Sequence, residues 1–239
     1  MVYLALSGQW SSCPFLYFLR SSIYVNLTSK YVGTSLVSSR GPGFVMPERC
    51  NFQRIPSEDP CPGAIADAVS EAFIGSQFGN DVVFAGLGDP LLKLDLLLRT
   101  AERITESNPG KALKYRVVTN GLLENYPESL SSMMKQASIE KLTVCMNYPC
   151  SSSYDLNMLR SPPHTSPYHD PSDLHHATAS FMSSGDAFPS VCDFVSSMSK
   201  QGMDVEVTAI DNGRADIDDV KDLAIKLGAS AFNVRTWHE

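Results

Sequence analysis

Residues 81–121 read DVVFAGLGDPLLKLDLLLRTAERITESNPGKALKYRVVTNG, and this stretch decides the fold class of the chain. The short apolar run at 82–85 is typical of a strand that is buried on both faces. Gly86 and Gly88 follow it, so the backbone can bend sharply and another group can approach it closely. Asp89 followed by Pro90 predicts a helix start, because a capping carboxylate precedes a proline at the first helical position. Apolar residues then recur at helical spacing until a second apolar run at 115–118. The stretch therefore predicts a βαβ unit.

Strand and helix signals alternate in the same way along the rest of the chain. Strands are predicted at 23–27, 82–85, 115–118, 142–146, 205–210 and 231–234, and helices at 62–73, 90–104, 127–134, 191–198 and 217–227, with a short helix at 154–159. Six strands that alternate with five main helices imply right-handed crossovers and a parallel sheet. The prediction is an α/β fold, and the pattern alone leaves open whether the sheet is flat or curled.

Composition limits the classes of function. A chain of 239 residues is long enough for one α/β domain with a full core. The net charge of −7 argues against nucleic acid as a partner, because a phosphate backbone needs a basic face. No run of 18 apolar residues is present, so no membrane span is predicted. The 6 cysteines form no CxxC pair, which favours reduced thiols and an intracellular location.

The predicted domain covers residues 21–239. Residues 1–20 are treated as an N-terminal extension, which is either irregular or a strand packed on the sheet; organellar targeting by this segment is the open alternative. Residues 161–186 are rich in Ser, Pro and His and are predicted to be a flexible insertion.

Polar residues or glycines follow five of the predicted strands. Ligands of parallel α/β sheets bind at the carboxyl ends of the strands, so these positions predict a binding site along one edge. Taken singly, each position is more typical of an ordinary loop, and Asp89 is also explained as a helix cap. The positions are Thr28, 86–89, 119–121, Asn147 and 211–214.

Three pieces of the sequence resemble the radical S-adenosylmethionine (SAM) superfamily, and most closely its TatD-associated radical SAM proteins. They are IYVNLTSK at 23–30, FAGLGDPLL at 84–92 and VTNGL at 118–122. The resemblance runs from about residue 23 to residue 234 and implies a partial (β/α)6 barrel of six parallel strands.

The resemblance also implies which residues bind S-adenosylmethionine. In the family, a glycine-rich segment after the second strand contacts the amino group of SAM, and polar residues at later strand ends hold its ribose and carboxylate. The corresponding residues of this chain are Gly86, Gly88, Asp89, Asn120, Asn147 and Thr208.

The sequence departs from the family at the iron–sulfur site. The family binds a 4Fe-4S cluster through CxxxCxxC in the loop after the first strand, where this chain has Tyr31, Ser35 and Ser38. Thiolates hold the irons of such clusters, and neutral hydroxyls are much poorer ligands. The sequence therefore predicts an eroded cluster site, although an incorrect gene model across residues 31–38 would remove the ligands equally well.

Other residues do not make a convincing metal site. Cys50 and Cys61 share the long loop before the first main helix, but two thiolates leave a cluster short of ligands, so they are interpreted as incidental thiols. A zinc site is not predicted, since the candidate histidines lack the paired spacing of zinc ligands. These histidines are His164, His169, His175 and His176.

The predicted function is that of a radical SAM-like protein that binds SAM at the carboxyl ends of the strands, with an unknown substrate. Whether the chain is an enzyme depends on the cluster, because the cluster supplies the electron for SAM cleavage. One alternative is a complete radical SAM enzyme. Another is a non-catalytic interaction protein that keeps the barrel and uses residues 161–186 as its contact surface.

Overall fold

The structure is a computed structural model that describes residues 13–55, 60–74, 78–159, 168 and 170–239. Within these ranges, seven strands form one sheet in sequence order, and every neighbouring pair except the first is parallel. The sheet curls into a half-barrel, which confirms the predicted partial barrel. The strands are β1 (Leu16–Leu19), β2 (Ser22–Val25), β3 (Asp81–Phe84), β4 (Lys114–Thr119), β5 (Ile139–Cys145), β6 (Asp204–Asp211) and β7 (Ala231–Thr236).

The helices cover one face of the sheet. The described helices are α1 (Pro62–Ile74), α2 (Leu94–Ser107), α3 (Leu130–Gln136), α4 (Ser151–Tyr154), α5 (Ala177–Ser184), α6 (Ala187–Lys200) and α7 (Ile217–Lys226). All five predicted main helices are confirmed as α1, α2, α3, α6 and α7. The predicted start of α2 is instead a 3-10 turn, Pro90–Lys93, and the predicted helix at 154–159 is largely a π-helical turn, Asp155–Leu159.

Part of the N-terminal extension belongs to the sheet. β1 pairs antiparallel with β2, from Leu16 opposite Val25 to Leu19 opposite Ser22. Arg20, at a φ of 56°, makes the tight turn between them. Residues 1–12 lie outside the described residues, so the predicted role of that segment stays a prediction.

The predicted insertion at 161–186 is only partly described, because residues 160–167 and 169 lie outside the described ranges. Its second half contains a 3-10 turn, Pro171–Asp173, and α5. Leu174 forms an isolated parallel bridge with Tyr31, which connects this half to the loop after β2. Flexibility of the insertion stays a prediction.

The main core lies between the sheet and its helices. Alternate residues of each strand face it, such as Val82 of β3 and Leu142 of β5, and Leu97 of α2 is fully buried among them. α1 and α2 pack against each other over their apolar faces. This packing holds the parallel strands in register, so their carboxyl ends meet along one edge.

Replacement of Leu97 by alanine tests this core. Because the side chain is 0% exposed, we expect Leu97→Ala to lower the free energy of unfolding by about 3 kcal/mol, measured by urea denaturation. Leu156→Ala is the control, since Leu156 is 56% exposed and the same truncation there should cost less than about 0.5 kcal/mol. An equal loss of unfolding free energy in the two variants would contradict the placement of Leu97 in the core.

Candidate functional site

The carboxyl ends of β2, β3 and β4 are joined by a short network of hydrogen bonds. Beyond β3, the backbone N–H of Gly88 donates to the carbonyl of Thr28 at 3.0 Å, and the N–H of Asp89 donates to the carbonyl of Lys30 at 2.9 Å. The loop after β2 therefore lies directly against the glycine-rich segment that the sequence singled out.

The two glycines of that segment are needed for this close approach. A Cβ atom at Gly86 would overlap the buried side chain of Asn26, and one at Gly88 would overlap the backbone carbonyls of Thr28 and Lys30. The sequence predicted that something approaches these glycines closely, and the structure shows that the neighbouring loop of the chain itself does so.

Asp89 is the most highly connected polar residue at this edge. Its side chain is 2% exposed. One carboxylate oxygen, Oδ2, accepts hydrogen bonds from Thr119 Oγ1 at 2.7 Å and from the backbone N–H of Asn120 at 2.8 Å, and Oδ1 accepts one from the N–H of Leu91 at 3.0 Å. Burial raises the pKa of Asp89, although these three donors oppose the rise. The predicted capping role is confirmed, and the predicted contact with a ligand stays a prediction.

The other predicted binding residues differ in how many hydrogen bonds their side chains already form within the chain. Asn120 donates from Nδ2 to the carbonyl of Val32 at 2.8 Å and accepts at Oδ1 from the N–H of Leu122. Thr208 Oγ1 lies 3.2 Å from Cys145 Sγ. Asn147 donates weakly to the sulfur of Met158 at 3.4 Å, but its buried Oδ1 has no partner among the described residues.

Two further residues of this edge were missed by the sequence analysis. Asn26 Oδ1 and Ser29 Oγ are also buried and without a hydrogen-bond partner. Both belong to the IYVNLTSK piece, so the resemblance had marked the segment without marking these side chains. Buried polar atoms in folded proteins are nearly always paired. Together with Asn147 Oδ1, these are buried polar atoms at the ends of β2 and β5 for which the described residues supply no partner.

The three residues at the family's cluster positions are buried and hydrogen-bonded within the chain. Tyr31 is 1% exposed and its hydroxyl donates to the carbonyl of Asp170 at 3.2 Å. Ser35 Oγ donates to Ser38 Oγ at 2.9 Å and accepts from the N–H of Ser38 at 3.0 Å. Burial raises the pKa of Tyr31 to about 12, so its phenol is neutral at pH 7. These donors do not fit a 4Fe-4S cluster, which needs thiolates.

The remaining candidate metal ligands are dispersed. Cys50 is buried, which raises its pKa, whereas Cys61 is exposed and the backbone N–H groups of Ala64 and Gly63 lower its pKa. His175 and His176 stack with ring centroids 4.0 Å apart, whereas His164 and His169 lie outside the described residues. Among the residues that the structure describes, no three His, Cys, Asp or Glu side chains form a group that could hold a metal ion.

Residues 170–176 cover the loop after β2. Arg54 pairs with Asp170 at 2.6 Å and with Asp173 at 2.7 Å, and the N–H of His175 donates to the carbonyl of Tyr31 at 2.8 Å. Hydrogen bonds from Ser172, together with Arg54, lower the pKa of Asp170 to about 2. This cover holds Tyr31 in the interior.

Comparisons with known proteins identify the fold. No protein-family model matches the chain, and no curated protein matches its sequence. Among solved structures, HydG, a maturase of the [FeFe]-hydrogenase, matches 91% of the chain with a TM-score of 0.56 and 9% identity. SuiB from Streptococcus suis matches 92% with a TM-score of 0.54 and 15% identity, and anSMEcpe with bound AdoMet matches 89% with a TM-score of 0.52 and 12% identity.

These neighbours are radical SAM enzymes, so the chain has the partial-barrel fold of that class. It spans 42%, 40% and 52% of the lengths of HydG, SuiB and anSMEcpe, respectively. In the part of the chain that the structure describes, no helix is long and apolar enough to cross a membrane.

The network around Asp89 can be tested by an isosteric change. In Asp89→Asn one oxygen is replaced by an amide that cannot accept a hydrogen bond, so at least one buried donor loses its acceptor. We expect the free energy of unfolding to fall by about 2 kcal/mol, measured by urea denaturation at pH 7. Asp186→Asn, at an exposed position before α6, is the control and should change stability by less than about 0.5 kcal/mol. An unchanged free energy of unfolding in Asp89→Asn would show that the buried carboxylate does not stabilise the strand ends.

Proposed function

We propose that the chain binds S-adenosylmethionine at the carboxyl ends of its strands and has lost the cluster that would cleave it. The observation that carries the proposal is the set of buried, unpartnered polar atoms at this edge, on Asn26, Ser29 and Asn147. They occur in a fold whose solved neighbours include a protein with bound AdoMet.

The chemistry of the unpartnered atoms suits this ligand. The ammonium group and the ribose hydroxyls of SAM are hydrogen-bond donors, and the amide oxygens of Asn26 and Asn147 are acceptors. Ser29 Oγ can either donate or accept. Gly86, Gly88, Asn120 and Thr208 are proposed as further binding residues because of the family resemblance. Asp89 would act through the second lone pair of its backbone carbonyl, since its carboxylate already accepts three hydrogen bonds and its backbone N–H donates to Lys30.

The proposed loss of radical chemistry follows from the donor set. A 4Fe-4S cluster supplies the electron that cleaves the sulfonium bond of SAM. Tyr31, Ser35 and Ser38 offer only neutral hydroxyls, and these are engaged in hydrogen bonds within the chain. We therefore propose a degenerate member of the radical SAM superfamily. Its placement in the TatD-associated branch rests on the three sequence pieces quoted above.

Iron content tests the loss of the cluster. A 4Fe-4S cluster contributes about four irons per chain. After anaerobic reconstitution with iron and sulfide, we expect the natural chain to hold far less iron than this. The triple variant Tyr31→Cys, Ser35→Cys, Ser38→Cys restores the family's ligand spacing, so it should gain about four irons and brown visible absorption.

The matched control places the same three cysteines one residue out of register, as Val32→Cys, Leu36→Cys, Ser39→Cys. It should gain no comparable iron, because the CxxxCxxC spacing is kept but its position after β2 is not. A natural chain that already binds four irons would contradict the eroded site. A triple variant that folds but stays colourless would contradict the assignment of Tyr31, Ser35 and Ser38 to the cluster positions.

Calorimetry with SAM tests the binding site. We expect the natural chain to bind SAM and Asn147→Ala to bind it about tenfold more weakly, which corresponds to the loss of one hydrogen bond. Asn80→Ala is the control because Asn80 is exposed at the opposite edge, just before β3, and the affinity there should not change. The absence of heat with SAM would overturn the proposal and favour the interaction protein that retains the barrel.

A further inference from the structure

The face of the sheet that points away from the helices carries charged side chains. Strand register places Tyr24, Val83, Arg116 and Lys141 in one row across β2 to β5 on this face. Thr208 and Asn233 pair in a row nearer the carboxyl ends, and Arg235 follows on the same face of β7. We call this surface the concave face.

Acidic neighbours neutralise only part of the positive charge on the concave face. Lys141 Nζ lies 3.2 Å from Glu206 and 3.7 Å from Asp204. Arg116 reaches only the hydroxyl of Tyr24, at 3.4 Å, and no carboxylate in the described part of the chain forms an ion pair with Arg116 or Arg235. In a chain of net charge −7, two half-buried guanidinium groups without acidic partners are unexpected.

A third arginine joins them from the loop after β2. The backbone carbonyl of Arg40 accepts a hydrogen bond from the N–H of His238 at 2.9 Å, so Arg40 lies beside the segment that follows β7. Its guanidinium group stacks over Phe44 at 4.3 Å from the ring centroid, and its Nε is buried without an acceptor. The described residues supply no acceptor for this buried donor.

Strand pairing places Arg116 and Arg235 on the concave face, and the hydrogen bond to His238 places Arg40 beside the end of β7. Burial lowers the pKa of Arg40, and the positive charge of Arg235 lowers it further. Burial raises the pKa of Tyr17, which stacks against Tyr24 at 4.8 Å, while Arg235 and Arg116 both oppose that rise. Like charges gathered in this way disfavour their own ionised forms, and an anion between them relieves the repulsion.

We propose that the concave face binds an oxyanion, either a carboxylate or a phosphate group, between Arg40, Arg116 and Arg235. The planar guanidinium group presents paired N–H donors that match both kinds of oxyanion. If the chain has a substrate, this site assigns it to the class of anionic small molecules. The site itself does not depend on SAM binding, since none of the three arginines is among the residues proposed to hold SAM.

Calorimetry of the full chain without SAM tests the site, with citrate as the carboxylate probe and pyrophosphate as the phosphate probe. We expect at least one probe to bind, and Arg116→Gln and Arg235→Gln each to weaken it about tenfold, as for the loss of a charge-assisted contact. Arg99→Gln is the control with the same change of charge, because Arg99 lies on α2 with its side chain 61% exposed. It should leave the affinity unchanged.

The two probes distinguish the ligand classes, since binding of citrate alone indicates a carboxylate ligand and binding of pyrophosphate alone indicates a phosphate ligand. Thermal melting identifies any variant that fails to fold. If one arginine variant does not fold, the affinity of the other arginine variant tests the proposal. No heat from either probe at millimolar concentration would overturn the proposal, as would an equal weakening in Arg99→Gln. A chain that binds pyrophosphate but not SAM would keep this inference and lose the proposed function.

Discussion

The carboxyl edge of the sheet depends on one buried carboxylate. Asp89 holds the end of β4 through Thr119 and Asn120, and it caps the turn that leads into α2. Burial of a charge costs several kcal/mol unless hydrogen bonds compensate for it, and three short bonds do so here. This arrangement fixes the glycine-rich segment, which in turn positions the loop after β2 by close backbone contact.

That loop has become part of the interior. Asn120 binds the carbonyl of Val32, Ser35 binds Ser38, and the residues 170–176 cover Tyr31 from outside. A loop that holds an iron–sulfur cluster needs to present three thiolates to one metal group. In this chain Tyr31, Ser35 and Ser38 contribute hydroxyls to internal hydrogen bonds, so the loop stabilises the end of the barrel.

The polar groups that are left over define what the chain can bind. Asn26, Ser29 and Asn147 leave neutral donors and acceptors at the strand ends, whereas Arg40, Arg116 and Arg235 leave positive charge on the concave face. A polar group that folding buries without a partner is costly, and such groups persist where a ligand completes them. The two sets differ in chemistry, and we propose that the first binds S-adenosylmethionine and the second an anionic small molecule.

The sequence by itself determined the elements. Its apolar periodicity placed the six parallel strands and five main helices, because helix and strand periods depend on residues close together in the chain. It also identified Asp89 as a cap and Gly86 and Gly88 as points of close approach, since capping and glycine geometry are local.

Only the tertiary structure decided which residues that are distant in sequence come into contact. α5 was not predicted, and a strand such as β1 was only one of the alternatives for residues 1–20, because these short segments have weak patterns and depend on the sheet and on neighbouring helices. The contact of Tyr31 with Leu174, the unpartnered oxygen of Asn147 and the position of Arg40 beside the segment after β7 could not be predicted from the sequence. Each depends on how strands distant in sequence curl around one another, and side-chain burial and pairing exist only after that packing has formed.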